Sequence, residues 1–92
     1  DEAMLKNNHV DLAGRPLDVL VRDLRAALGP ATRITAEARD EDEALAAVAG
    51  GADVVLLDNL APERMAALCP RLREAAGDRP LELEASGGVT LE

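Results

Sequence analysis

Short β-favouring apolar runs alternate with helical patterns along this 92-residue chain, and the order repeats four times. The first run, Ala3 to Lys6, ends in the polar stretch Lys6-Asn7-Asn8-His9. Leu17, Leu20, Val21, Leu24 and Leu28 then recur at helical spacing, and Gly29-Pro30 closes that helix. Arg33 to Ala38 alternates with period two, which predicts a strand. Asp40 is the expected N-cap of a helix carrying Ala44, Leu45 and Val48 and closed by Gly50-Gly51. Asp53-Val54-Val55-Leu56-Leu57 is a continuous run, the pattern of a strand covered on both faces. Pro62 suits the first turn of the next helix, with Met65, Leu68 and Leu72 on one face. Pro70 is expected to kink that helix or split it near Leu68. Leu81 to Ala85 is again strand-like and runs into Ser86-Gly87-Gly88.

Strand and helix alternating at roughly 24-residue spacing imply βαβ units and a parallel sheet. Right-handed crossovers bring all the strand C-termini to one end. The expected fold is therefore α/β, with parallel βαβ units forming about half of a TIM-like, open α/β barrel. No linker or low-complexity segment divides the chain.

Composition narrows the function classes. Apolar residues make up 48%, enough for a packed core, yet Phe, Tyr and Trp are all absent. The core must come from Leu, Val, Ile and many alanines, each burying little area. At roughly 25 cal/mol per Å² such a core supports marginal stability, so the chain is expected to lean on neighbouring elements. A net charge of −8 argues against nucleic acid or an anionic membrane as partner. It leaves room for a small anionic ligand, which one lysine and a few backbone N–H groups can hold. No apolar run reaches the ~18 residues of a membrane span, and no signal-like start is visible. The single Cys69 cannot form an internal disulfide, which fits a reducing, cytoplasmic setting. With one cysteine and one histidine, a structural zinc site is not expected.

Lys6, Glu37, Asp58 and Ser86 each fall at or just past the end of one of the four expected strands. In parallel α/β folds that edge gathers ligands, because loops and helix N-termini converge there. Each residue also has an ordinary explanation. A surface lysine is the usual case for Lys6, and a solvated strand end for Glu37. Yet Ile34, Ala36 and Ala38 face the other way, which puts Glu37 on the barrel-interior side. A carboxylate buried there without a cation is costly and is pushed toward its protonated form, so a metal or a hydroxyl-rich ligand is a reasonable companion. Asp58-Asn59 is equally readable as a helix N-cap pair. Ser86-Gly87-Gly88 is either a plain turn or a backbone nest for phosphate. His9 is expected to hold the Lys6 loop in place, and Cys69 to pack in a helix away from this rim. From the residues alone the chain is a parallel half-barrel with an anion, and a divalent metal in addition, as the ligands its rim suits.

Taken together the motifs go further. Met4-Leu5-Lys6-Asn7-Asn8-His9-Val10 resembles the lysine-Asp-Asn-His segment of the quinolinate phosphoribosyltransferases. Gly51-Ala52-Asp53 followed by Leu56-Leu57-Asp58-Asn59 is similar to that family's Gly-Ala-Asp strand ending in Leu-Asp-Asn. Leu83-Glu84-Ala85-Ser86-Gly87-Gly88-Val89 resembles its Glu-Ala-Ser-Gly-Gly-Ile signature. The ordered set spans essentially the whole chain. The resemblance implies a decarboxylating pentosyltransferase that makes nicotinate mononucleotide from quinolinate and phosphoribosyl pyrophosphate, on the route to NAD.

Carried over residue by residue, it implies that Lys6 engages a quinolinate carboxylate. Glu37 and Asp58 are then the catalytic acids, facing the ribose hydroxyls and the Mg²⁺ of phosphoribosyl pyrophosphate. Ser86, Gly87 and Gly88 bind phosphate, and Asn8, His9 and Asn59 support them. Residues 1–92 correspond to part of the C-terminal barrel domain, with the N-terminal domain and the end of the barrel outside them. The family resemblance also implies a homodimer in which one subunit's N-terminal domain completes the other's site, so the chain alone is expected to be inactive. Two departures stand out: the family's Asp is Asn7 here, and its Glu-x-Glu strand reads Thr35-Ala36-Glu37. They leave open a related phosphoribosyltransferase-like protein of the molybdenum-transport-associated branch. A non-catalytic, phosphate-binding half-barrel is the alternative from outside enzymology.

Overall fold

Five strands form one sheet in the order β1-β2-β3-β4-β5. The computed structural model describes residues 2–86 and 89–91. The elements run β1 (Glu2–Leu5), α1 (Asn7–Ala13), α2 (Leu17–Leu28), β2 (Arg33–Ala38), α3 (Glu41–Gly50), β3 (Val54–Leu57), α4 (Pro62–Ala76), β4 (Glu82–Ala85) and β5 (Val89–Leu91). β1 to β4 pair in parallel, each with the next in sequence. A parallel sheet wound in one direction, with its helices on one side, is the geometry of a barrel segment.

Local chemistry explains most of the boundaries. The Asp40 side chain accepts the Glu43 N–H at 2.8 Å and caps α3, while Gly51 (φ 102°) ends it in the left-handed region. Pro62 opens α4, where a missing N–H costs nothing. One face of the sheet supplies Ile34, Ala36, Ala38, Val55, Leu57 and Leu83 to the core. Leu17 and Val21 of α2, Ala44, Ala47 and Val48 of α3, and Leu68, Cys69, Leu72 and Ala76 of α4 cover that face. Alanine lets helix and sheet backbones approach closely, and one contact is closer still. A Cβ placed on Gly50 of α3 would lie 2.6 Å from the Asp18 carbonyl oxygen and 2.8 Å from the Val21 Cβ of α2.

The amino-terminal ends of the strands are held by Arg25. Its guanidinium reaches the Asp53 carboxylate at 2.6 Å and the carbonyls of Gly51 and Gly29, each at 3.2 Å, together with that of Thr32. Asp53 also accepts the N–H of the buried Ile34 at 2.8 Å. Burial raises the Asp53 pKa, but the Ile34 and Arg25 hydrogen bonds and the nearby positive charge more than offset that, leaving it below the usual range.

Four details differ from the sequence expectation. Asn7-Asn8-His9 is not a polar loop but the first turn of α1, a helix too short to show an apolar period. Pro70 does not split α4. It is exposed, and the buried face of Leu68, Cys69, Leu72 and Ala76 holds the helix together past the missing hydrogen bond. Helices cover β3 on one face only, although on the other face Val54 is buried and Leu56 half-buried. Lastly, the sheet has a fifth strand, β5, antiparallel to β4. Only Ser86 and two glycines separate them, and so short a link can return a chain only antiparallel.

Candidate active site

Period-two alternation gives the second face of the sheet a polar set. Thr35 and Glu37 of β2, Val54 and Leu56 of β3, and Glu82 and Glu84 of β4 share it, because Thr35 pairs with Val54 and Val54 with Glu82, and Glu37 with Leu56 and Leu56 with Glu84. Among the described residues no helix packs against this face.

The carboxyl edge of the same face carries the residues singled out in the sequence. Leu5 pairs with Ala36, and continuing that register puts Lys6 beside Glu37. The ladder runs one step past β3 and β4. The Asp58 N–H donates to the Ala38 carbonyl at 2.9 Å, and the Ser86 N–H to the Leu57 carbonyl at 3.0 Å. Alternation from Leu56 and Glu84 then turns Asp58 and Ser86 toward the side that Glu37 occupies. Four strands thus deliver an ammonium, two carboxylates and a hydroxyl to one edge. Gly87 and Gly88, expected beside Ser86, lie outside the described residues.

Glu37 is half-buried, and its Oε1 accepts the N–H of Asn7 at 2.9 Å. That bond ties the start of α1 to β2 and occupies one carboxylate oxygen. Lys6 is exposed and, among the described residues, takes part in no ion pair. Its charge is therefore available to an anion. The His9 Nδ1 accepts the Lys6 N–H at 3.4 Å, a long bond that closes the first turn of α1 behind the lysine. Asn8 is an exposed residue of the same turn.

Helix capping does not account for Asp58-Asn59. The residue preceding α4 is Ala61, and no side chain caps that helix. Asn59 instead adopts φ 60°, a left-handed conformation that asparagine tolerates better than most residues. It turns the chain away sharply and leaves the half-buried Asp58 at the rim.

Glu84 was not among the residues selected from the sequence, although its alternation with Ser86 places it on the same face. The hydrogen bond it shares with Glu82, then burial and the repulsion of that carboxylate, hold its carboxyl above the usual range. Glu82 is held below that range by the same bond and by Arg33, whose Nη2 lies 2.9 Å from its Oε1. Among the described residues no group of three or more His, Cys, Asp or Glu side chains could hold a metal ion unaided.

Known proteins similar to this chain identify its family. A family model described as quinolinate phosphoribosyl transferase, C-terminal domain, matches residues 1–92. The nicotinate-nucleotide pyrophosphorylase (carboxylating) of Dictyostelium discoideum is 36% identical over 87 residues, covering 95% of this chain and 28% of that protein. The Rattus norvegicus protein of the same name is 38% identical over 89 residues, covering 97% of this chain and 29% of that protein. Among solved structures, NadC from Streptococcus pyogenes superposes with a TM-score of 0.71 at 26% identity, covering 97% of this chain and 29% of that one. The chain thus spans less than a third of the length of each of these three relatives. A family-model match along its whole length makes this chain a member of the quinolinate phosphoribosyltransferase C-terminal domain family.

Proposed function

We propose that the whole protein to which this chain belongs is a decarboxylating quinolinate phosphoribosyltransferase. It joins quinolinate to the ribosyl group of phosphoribosyl pyrophosphate and releases pyrophosphate, CO₂ and nicotinate mononucleotide. The observation that carries this reading is the convergence of Lys6, Glu37, Asp58 and Ser86 on one face at the carboxyl edge of four parallel strands.

Lys6 pairs with a carboxylate of quinolinate, its charge not spent on Glu37. The ring nitrogen attacks the anomeric carbon as the bond to pyrophosphate breaks, and positive charge builds on the ribose. Glu37 and Asp58 stabilise that charge from fixed positions. Glu37 keeps its second oxygen for the ligand, since Asn7 occupies the first. Ser86, with Gly87 and Gly88, holds the phosphate on the ribose. Once the nitrogen is quaternary, the C–C bond from the adjacent ring carbon to the carboxylate breaks and CO₂ leaves; the electron pair stays on that carbon, stabilised by the neighbouring positive nitrogen, and takes up a proton. No protein nucleophile is needed.

Two carboxylates without a third fit Mg²⁺, which binds through one or two carboxylates plus substrate phosphates. Glu37 and Asp58 are the residues that would hold it, and the ion would stabilise charge on the leaving pyrophosphate. The working unit in this reading is a cytoplasmic homodimer. A free, buried Cys69 and the absence, among the described residues, of any helix able to cross a membrane are compatible with that setting.

The test uses the whole protein, given quinolinate, phosphoribosyl pyrophosphate and Mg²⁺, with nicotinate mononucleotide and CO₂ followed together. Product that depends on all three and is lost in Lys6→Ala supports the reading. A folded protein that makes none sinks it and moves the substrate question to the molybdenum-transport-associated branch, in keeping with the Asn7 and Thr35 departures.

A further inference from the structure

Helix α1 is capped at its start by Lys6 yet has no buried residue of its own. Val10 packs partly against the core, and Gly14 ends the helix in a left-handed turn. Among the described residues, two polar side-chain links, both from the carboxyl end of β2, tie it further to the sheet. One is the Asn7 N–H to Glu37 bond at 2.9 Å. The second comes from Arg39, the residue that follows β2.

The Arg39 guanidinium grips Asp11 of α1 with two bonds, Nη1 to Oδ2 at 3.0 Å and Nη2 to Oδ1 at 2.9 Å. Its remaining edge meets Glu43 of α3, Nε to Oε1 at 3.1 Å and Nη2 to Oε2 at 2.7 Å. Glu43 Oε1 also accepts the Arg39 backbone N–H at 2.7 Å, and the Glu43 N–H is held by Asp40. Glu43 is thus fixed at both ends of its side chain, and its carboxylate is the best shielded member of the trio, with side-chain exposure of 19% against 41% for Arg39 and 57% for Asp11. An exposed ion pair alone contributes little to stability. Here a planar fork held by Glu43 presents a ready-made site to Asp11, so forming the second pair immobilises few further bonds.

We propose that Arg39, clamped by Glu43, is a positioning residue for Lys6: through Asp11 it fixes α1 and so the lysine that opens it. The inference rests on the transferase reading for its effect on catalysis and on geometry alone for its effect on α1. Lys6 precedes α1 directly, and Glu37 lies near the end of β2 with Arg39 just past that end. Both partners of the proposed site are therefore referenced to the same strand end. A freed α1 would let the ammonium drift while Glu37 stays in place.

The experiment compares wild type, Arg39→Met, Arg39→Lys, Asp11→Asn and Lys6→Ala in the whole protein. Amide exchange over residues 7–13 is the first readout. Faster exchange there in Arg39→Met and Asp11→Asn, with β2 to β4 unchanged, is expected, and unaltered protection of α1 would overturn the proposal whether or not the protein turns quinolinate over. The second readout is kcat/KM for quinolinate, expected to fall about tenfold in Arg39→Met and Asp11→Asn, less in Arg39→Lys. Lys6→Ala should lose activity with α1 exchange unchanged, which separates loss of the lysine from loss of its positioning, whereas Arg39→Lys should restore part of both the protection and the rate. Activity of Arg39→Met equal to wild type would also overturn the proposal. A wild type without transferase activity contradicts the functional reading and leaves the exchange result to decide the clamp.

Discussion

Asp53 meets Arg25 at 2.6 Å and the backbone N–H of Ile34 at 2.8 Å with the same carboxylate oxygen, joining α2, β2 and the start of β3 at the edge of the sheet remote from the candidate site. Its place in the Gly51-Ala52-Asp53 motif is thereby explained by folding and not by chemistry. Asp53→Ala strands a buried N–H and a guanidinium, and is expected to cost about 1–3 kcal/mol. Asp53→Asn, which keeps an acceptor for Ile34, should cost less; urea titration of both variants checks the order. The pH dependence has a definite sign. A carboxyl whose pKa is lowered by folding stabilises the native state above its unfolded pKa, about 3.8, and the contribution fades as pH falls through that value toward the lower folded one. The difference between wild type and Asp53→Asn should therefore shrink under acid conditions.

Gly50 separates two opposing expectations. Helix propensity alone predicts that Gly50→Ala stabilises α3 by up to about 1 kcal/mol. The close approach to Asp18 and Val21 predicts the reverse, since backbone must move to admit the methyl group. Overpacking of this kind commonly costs about 1–3 kcal/mol. A lower thermal midpoint for Gly50→Ala is the expected outcome, and a higher one would show that α2 yields freely.

For the whole enzyme, Asp58→Ala is expected to lower turnover by about two orders of magnitude or more, the scale typical of lost charge stabilisation. Folding should change little, because Asp58 is held at the rim by its backbone ladder bond and the Asn59 turn. Steady-state rates alongside circular dichroism test this, and unchanged turnover would remove Asp58 from the catalytic set.

The elements legible in the sequence were those with a strong local cause. Arg33–Ala38 alternates strictly, Asp40 and Gly51 bracket α3, and Pro62 opens α4, and each stands where its chemistry places it. The facing of Glu37 opposite Ile34, Ala36 and Ala38 was legible for the same reason, because period two leaves a strand residue only two sides. Glu84 was open to the same logic through Ser86. The helix α1 was not legible, since a helix so short that buries nothing leaves no periodic trace. Of the two outcomes expected at Pro70, a kink or a split, the split does not occur: a helical proline is costly in isolation, and the packed face beneath it offsets that cost.

What the sequence determined by itself is the alternation of strands and helices, the side of the sheet on which each strand residue falls, and the motifs that place the chain in its family. Those depend on neighbours in the chain or on the fixed geometry of a strand. Tertiary structure alone decided the partners of the charged side chains. Nothing in the order of residues pairs Arg25 with Asp53, or aims Arg39 at Asp11 across 28 positions. Such contacts exist only after the sheet has brought distant strand ends together, and there the choice among many carboxylates is made by distance and burial.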